Sequence, residues 1–328
     1  MAVILLTGAN GFVGRALSEY WVQPSDGTRI SHLPSLEVRP VLRRPDAACP
    51  QAVIMDIAAD SDWAPHLAGV DCVVHLAARV HMLDDSAIDP LAAYRRANRD
   101  VTLQLARQAA SAGVRRFVFL SSIKVSGEAT QTPFRASDVP QPQDPYGISK
   151  WEAEQGLAQI AMETGLEVVV IRPPLVYGPG VKANFLQLMR LVARGWPLPL
   201  GSIQNRRSMV YVGNLLDLIA CCCHHPAAAG QTLLVSDGHD VSTPQLIAAL
   251  AQAMGRRSPL LPFPPRLLGL GARLLGKRAV AERLLGSLQV DITATQQALD
   301  WQPPVSFAAG IAETVAAFCK ANGVENTN

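Results

Sequence analysis

The chain has 328 residues, 49% of them hydrophobic and 17% charged, with 29 Lys and Arg against 27 Asp and Glu. That length and composition describe a well-cored globular protein, one large α/β unit or such a unit with a smaller lobe, and exclude a disordered chain. A net charge of +2 without a long basic block gives no nucleic-acid surface, and no uninterrupted apolar run reaches the ~18 residues of a membrane span.

Residues 3–6 form a short unbroken apolar run, suited to a central strand buried on both faces of a parallel sheet. No basic segment precedes that strand, so a cleaved signal peptide is not expected. Gly8, Gly11 and Gly14 follow, ahead of a helical stretch over 12–21. Gly8 permits a tight turn, Gly11 lets the backbone approach a pyrophosphate, and Gly14 lets the helix pack close to the strand. A helix starting near Gly11 aims its unpaired N–H groups at the anion, so a dinucleotide is the predicted ligand.

Further strand-like runs at 36–42, 72–76, 116–120 and 167–171 alternate with helical patterns at 94–112 and 151–164, which predicts a doubly wound parallel sheet. Residues 23–35, with Pro24, Gly27 and Pro34, read as a surface loop. Prolines and glycines crowd together after Ile171, and 233–236 reads as a strand returning to the first unit. The expected division is 1–178 plus 207–240 for a nucleotide-binding domain and 179–206 plus 241–328 for a smaller, interleaved C-terminal substrate lobe.

Six cysteines lack metal-ligand spacing, and the consecutive Cys221, Cys222 and Cys223 cannot share one helix face. They read as buried thiols, and His224 and His225 before Pro226 read as a helix end; a reducing, cytoplasmic setting is expected and no metal. Between Pro262 and Leu288, Arg266, Arg273, Lys277, Arg278 and Arg283 alternate with apolar residues. A basic amphipathic helix can lie on an anionic membrane, but the same pattern describes helices covering a substrate lobe. Interruption by Gly269, Gly271 and Gly276 favours the second.

Asp144-Pro145 spells a helix start: a side-chain cap, then a residue that needs no N–H. Tyr146 and Lys150, four residues apart, then share one face, where the ammonium is expected to draw the phenol from a pKa of ~10 towards neutrality. Such a tyrosine gives or takes a proton near neutral pH. Upstream, 117–120 is a strand running into Ser121-Ser122, at the edge where open α/β sheets bind ligands. Ser122 is the expected hydrogen-bonding partner of the reacting oxygen.

Thr7-Gly8-Ala9-Asn10-Gly11-Phe12-Val13-Gly14, Asp56-Ile57, His75-Leu76-Ala77-Ala78, Asn98, Ser121-Ser122, Tyr146 to Lys150, Arg172-Pro173 through Val176-Tyr177-Gly178-Pro179-Gly180, and Arg207 to Val212 follow in this order. In these pieces the chain resembles the extended short-chain dehydrogenase/reductase family, in its nucleotide-sugar epimerase, dehydratase and reductase branch. The resemblance implies a Rossmann-type fold with Gly8, Asn10, Gly11, Phe12, Val13 and Gly14 at the cofactor. It places Asp56 and Ile57 beside the adenine, and Leu76, Ala77, Ala78, Pro173 and Val176 around the cofactor with Tyr146 and Lys150. Asn98 would help position Lys150. Asn184 and Arg207 would face the diphosphate of a UDP-sugar, with His81 and Ser122 as further substrate contacts. Helices near 94–112 and 151–164 would pair two copies as a homodimer.

One position departs from the NAD-preferring members, which carry an acid after the second strand. Here Val41-Leu42 is followed by Arg43-Arg44. Guanidinium pairs with a 2′-phosphate, a charge-assisted bond of ~1.5–3 kcal/mol, roughly tenfold to hundredfold in affinity, so NADP(H) is favoured over NAD(H). Two reactions fit the resemblance. The first expectation is NADPH-dependent reduction of a UDP-4-keto-6-deoxy-N-acetylhexosamine for surface polysaccharides; the alternative is an NAD-dependent UDP-sugar 4-epimerase. Dehydration is disfavoured because Ile123 follows Ser122 where that group carries an acidic pair. A non-catalytic NADP(H) sensor is remote, because Ser122, Tyr146 and Lys150 together serve proton transfer.

Overall fold

Apolar runs that alternate with helices assemble into seven parallel strands. The computed structural model describes residues 2–22, 36–46, 49, 51–80, 89–274 and 284–323; the expected loop at 23–35 and His81 lie outside them. The first half runs β1 (Ala2–Thr7), α1 (Phe12–Val22), β2 (Leu36–Leu42), β3 (Val53–Ile54), α2 (Ala64–Leu67), β4 (Cys72–His75), α3 (Pro90–Tyr94), α4 (Val101–Ser111) and β5 (Arg116–Leu120). Then come α5 (Pro145–Thr164), β6 (Glu167–Arg172), β7 (Leu175–Tyr177), α6 (Ala183–Arg194), β8 (Met209–Tyr211), α7 (Val212–His224), β9 (Thr232–Leu234), α8 (Thr243–Ala253) and α9 (Pro265–Leu274). Helices Thr293–Leu299 and Phe307–Asn322 follow.

The strand order is β3-β2-β1-β4-β5-β6-β9, parallel throughout, a Rossmann-type doubly wound sheet. Its order reverses between β1 and β4, and the crevice beyond those strand ends is where such sheets take ligands. Side chains along the central strands enter two buried layers in alternation. Ile4, Leu6, Val74 and Val118 pack into one layer with Leu17 of α1 and Leu215 of α7, while Leu5, Val73 and Phe117 pack into the other with Leu105 of α4 and Leu157 of α5. Both faces of the sheet are therefore covered, which is why these strands read as unbroken apolar runs.

The expected returning strand is real but begins earlier, at Thr232, and pairs with β6. A separate two-stranded sheet joins β7 to β8. Buried Asp237 ties it to the main sheet by accepting hydrogen bonds of 2.7 Å from the Tyr177 hydroxyl, the Tyr211 N–H and the Asn214 amide. Between α3 and α4 the helix continues through a π-helical turn, Arg95–Asp100, and such turns recur at functional sites.

Cys72, Cys222, Cys223 and Cys319 are buried thiols and Cys49 and Cys221 are half-buried. Cys222 and Cys223 are both buried at the C-terminal end of α7, where the Arg116 guanidinium donates to the carbonyls of Cys222 and His225. Among the described residues no cluster of His, Cys, Asp and Glu has metal-binding geometry, and no helix is long and apolar enough to cross a membrane.

Candidate active site

β1 ends at the reversal of strand order in Gly8, whose φ of +74° belongs to the left-handed region. A Cβ on Gly8 would lie 2.6 Å from the Ala77 nitrogen, and one on Gly14 would lie 2.2 Å from the Gly8 carbonyl oxygen. Only glycine lets this turn press against the end of β4 and lets α1 leave so close behind it. The Gly11 N–H donates to the Gly8 carbonyl at 2.9 Å and α1 begins at Phe12. Asn10 and Gly11 are exposed at the mouth, with Phe12, Val13, Leu76, Ala77 and Ala78 half-buried around it. A tight turn opening a helix at the sheet's crevice, filled if a side chain were added, fits the pyrophosphate of a dinucleotide.

The end of β2 and the chain after β3 meet through the Met55 N–H, which donates to the Leu42 carbonyl. Arg43 and Arg44 are exposed there, and the Arg43 guanidinium lies 3.3 Å from the Asp56 carboxylate. Ile57 packs on the layer that holds Trp63 and Leu67.

Asp144 caps α5 by accepting from the Gly147 N–H at 2.7 Å, with Pro145 at the first helical position, as the sequence spells it. The helix runs from this expected start to Thr164, extending the 151–164 pattern back over both Tyr146 and Lys150. A Cβ on Gly147 would lie 2.8 Å from the Lys124 carbonyl oxygen, so the first turn of α5 rests against the turn 123–125. Ser122 caps that turn, accepting from the Lys124 N–H at 3.3 Å, and its hydroxyl lies near enough to the Tyr146 phenol to favour the ionised form. Lys150 is buried, donating to the Leu120 carbonyl at 2.9 Å with its ammonium 4.4 Å from the centre of the Phe119 ring.

The charge balance differs from the expectation. Burial pushes the Tyr146 phenol well above its ordinary value, Asp144 and Tyr94 add to that, and only the Ser122 hydroxyl opposes it. Lys150 directs its proton to the Leu120 carbonyl, and burial lowers its pKa to about 7 against the pull of Glu154. Helical spacing sets which side chains share a face. How far each is taken out of water decides the direction of the shift.

A continuous hydrogen-bonded path joins the glycine turn to α5. The Thr102 hydroxyl donates to the Asn98 carbonyl at 2.6 Å, so it accepts from His75 Nε2 at 3.0 Å. Nδ1 of that ring then accepts from the Thr7 hydroxyl at 2.7 Å. The Asn98 amide donates to the Ser149 hydroxyl at 3.0 Å and to the Arg79 carbonyl, and Ser149 donates to the Tyr146 carbonyl at 2.8 Å. Asn98 thus reaches the residue before Lys150 rather than the lysine itself. It sits in the π-helical turn, fully buried.

Glu154 is not among the expected residues, and Arg172 stands only in the run Arg172-Pro173, without a role of its own. They form a buried pair at 2.6 Å, and Ser121 donates to the same carboxylate. The signal was the repeat of four residues from Tyr146 to Lys150 to Glu154. Pro173 is buried, its carbonyl accepting from the Ile123 N–H at 3.0 Å, and Val176 is half-buried in β7. On the substrate side Asn184 is exposed in the first turn of α6, and half-buried Arg207 donates to the Gly286 carbonyl at 3.1 Å. Neighbouring Asn205, also absent from the expected residues, is buried and binds Thr243, Leu284 and Gly286.

The model of the NAD dependent epimerase/dehydratase family matches residues 4–235. This chain belongs to that family. It is an enzyme of the extended short-chain dehydrogenase/reductase type, served by a pyridine nucleotide. It is 46% identical to a UDP-glucose 4-epimerase of Vibrio cholerae over 97% of this chain and 96% of that one. It is 30% identical, over 81% of its own length and 77% of the other's, to the N-acetyl-alpha-D-glucosaminyl-diphospho-ditrans,octacis-undecaprenol 4-epimerase of Escherichia coli O157:H7. Among solved structures, MoeE5 in complex with UDP-glucuronic acid and NAD superposes with a TM-score of 0.76 at 23% identity, covering 98% of this chain and 100% of that one, which shows the shared fold.

Proposed function

We propose that this enzyme inverts C4 of a UDP-hexose. The observation that carries the reading is the placing of Ser122, at the end of β5, and of Tyr146 and Lys150, in the first turns of α5, at the crevice of the sheet, in a chain so similar along its whole length to a UDP-glucose 4-epimerase. Residues 8–14, Arg43, Arg44, Asp56, Ala77 and Ala78 hold the dinucleotide, and 179–206 with 241–328 form the lobe that closes on the sugar. When bound, the nicotinamide supplies hydride exchange at C4 and, oxidised, a positive charge. Ser122 hydrogen-bonds the C4 oxygen, and Tyr146 takes that oxygen's proton and later returns it. Lys150 tunes the proton on the phenol and binds ribose, and Arg207 and Asn184 face the diphosphate.

A second reading rests on Arg43, Arg44 and the raised phenol. A tyrosine kept protonated by burial suits donation to an alkoxide, as in NADPH-dependent reduction of a UDP-4-keto-6-deoxy-N-acetylhexosamine. Denaturing the purified protein and identifying the released nucleotide is the first test. UDP-glucose, UDP-N-acetylglucosamine and undecaprenyl-diphospho-N-acetylglucosamine are then offered without reductant, beside the 4-keto sugar with NADPH. Interconversion at C4 with no net change in NAD(P)H supports epimerisation; NADPH consumed only with the keto sugar replaces it by reduction. Tyr146→Phe abolishes turnover while nucleotide binding persists, and unchanged turnover removes both readings.

A further inference from the structure

Two segments of the C-terminal half lie side by side. The Leu198 N–H donates to the Pro259 carbonyl at 2.7 Å, the Leu261 N–H donates back to Leu198 at 2.8 Å, and the Phe263 N–H donates to the Ser202 hydroxyl at 3.1 Å. The Arg256 guanidinium also reaches the Ala193 carbonyl at the end of α6. α9 follows directly from this pairing. Four large apolar side chains of this region face outward: Trp196 is 61% exposed, Leu261 51%, Leu267 53% and Leu270 56%. Leu267 and Leu270, three apart on α9, share one face. Large aliphatic and indole surface left in water on this scale marks a contact site.

The two segments that meet here carry charge of one sign. Residues 182–207 and 256–274 contain nine of the chain's 29 Lys and Arg and none of its 27 Asp and Glu, so the rest of the chain is net acidic. Lys182, Arg190, Arg194, Arg256, Arg257 and Arg266 are all exposed. The Arg194 guanidinium lies 5.5 Å from the centre of the Trp196 ring, pairing a cation with an aromatic group of the kind that settles at a membrane–water boundary. A second copy of the same face would set these cations against one another. A nucleic acid would leave the leucines without a partner.

We propose that this face docks on an anionic phospholipid bilayer, with Trp196, Leu261, Leu267 and Leu270 entering the headgroup boundary and the arginines pairing with lipid phosphates. The chain then lies on the membrane without crossing it. The binding stands apart from which reaction the enzyme performs.

The test is co-sedimentation of the full chain with vesicles of phosphatidylcholine alone and of phosphatidylcholine mixed with phosphatidylglycerol. Binding to the mixed vesicles is expected to be at least about tenfold tighter and to weaken as salt rises. Trp196→Ser combined with Leu267→Ser and Leu270→Ser removes most of the binding, and Arg194→Glu with Arg266→Glu removes the preference for phosphatidylglycerol; Tm is unchanged in both. Equal binding to the two vesicle types, or patch variants that bind like the parent, overturns the proposal. So does a patch variant whose effect, read by light scattering, is only to dissociate an oligomer, since a second copy is then the occupant.

Discussion

Glu154 lies one helical turn beyond Lys150 on α5 and turns its carboxylate onto the Arg172 guanidinium, 2.6 Å away, inside the protein. Its charge is also what holds the lysine's proton against the pull of burial. The pair therefore sets the electrostatics behind Tyr146 without touching the reacting atoms. Glu154→Gln strands a buried guanidinium and is expected to destabilise the fold by about 3–5 kcal/mol. The double variant Glu154→Met, Arg172→Met retains most of the parent stability, because neither charge is then left alone. Both variants lower the Lys150 pKa further, so the alkaline limb of kcat/KM moves to lower pH. A profile superimposable on the parent's would confine Glu154 to a structural role.

Lys150 makes a separate statement about stability. Its pKa falls to about 7 in the folded protein, from an ordinary value of ~10.4 in the unfolded chain. Between these values the unfolded state binds a proton that the native state does not, so this group makes stability rise with pH across that window. Below pH 7 both states are protonated and the native state carries the full burden of a buried ammonium. Lys150→Met is expected to melt above the parent at pH 6, with the gap closing towards pH 10, while turnover is lost. A gap that stays constant across the range would contradict the assigned shift.

The parts of the molecule that local chemistry dictates were legible from the chain alone. The Asp144-Pro145 cap, the glycine turn and the apolar strands each follow from a few neighbouring residues, and each lies where expected. What escaped depends on tertiary surroundings. The repeat of four residues that runs from Tyr146 through Lys150 puts Glu154 on the same face of α5, but nothing local announces its partner Arg172 on a strand 18 residues on. The π-helical turn carrying Asn98 leaves no trace in the pattern of apolar residues. Helix spacing put Tyr146 and Lys150 one turn apart on α5 but said nothing of the depth of burial, and burial moves the phenol's shift upward instead of down.

His75 is the hinge of the path from Thr7 to Ser149, and its ring is held neutral, with burial lowering its pKa to about 3. Its ordinary value is ~6.5. As pH falls from there towards 3 the unfolded state gains a proton that the native state refuses, so stability is lost through that window. His75→Leu removes this term and flattens the acid limb of the unfolding curve. It also leaves the Thr7 and Thr102 hydroxyls short of a partner, at about 1–3 kcal/mol each. Because Thr7 leads directly into the glycine turn, nucleotide affinity is expected to fall along with stability at pH 7.5. Titration calorimetry with nucleotide reads the first, and denaturant unfolding followed across pH reads the second. Unchanged nucleotide binding would show that the path stabilises α5 and β4 without positioning the turn.

Arg43 is within ion-pairing distance of Asp56 at the mouth of the crevice, and both are largely exposed. On the proposal that these arginines meet a 2′-phosphate, the Asp56 carboxylate competes with it for the Arg43 guanidinium. Arg43→Ala with Arg44→Ala is expected to weaken NADPH by about tenfold to hundredfold while changing NADH little, since only the 2′-phosphate loses charge-assisted bonds. Asp56→Asn works in the opposite direction. It releases Arg43 and removes a repelling charge, so NADPH should bind several-fold more tightly. An exposed ion pair is itself worth little, so neither change should move Tm appreciably. Fluorescence titration of each reduced nucleotide separates the cases: parallel losses for NADPH and NADH in the double-alanine variant would show that the arginines hold the adenosine without reading its phosphate.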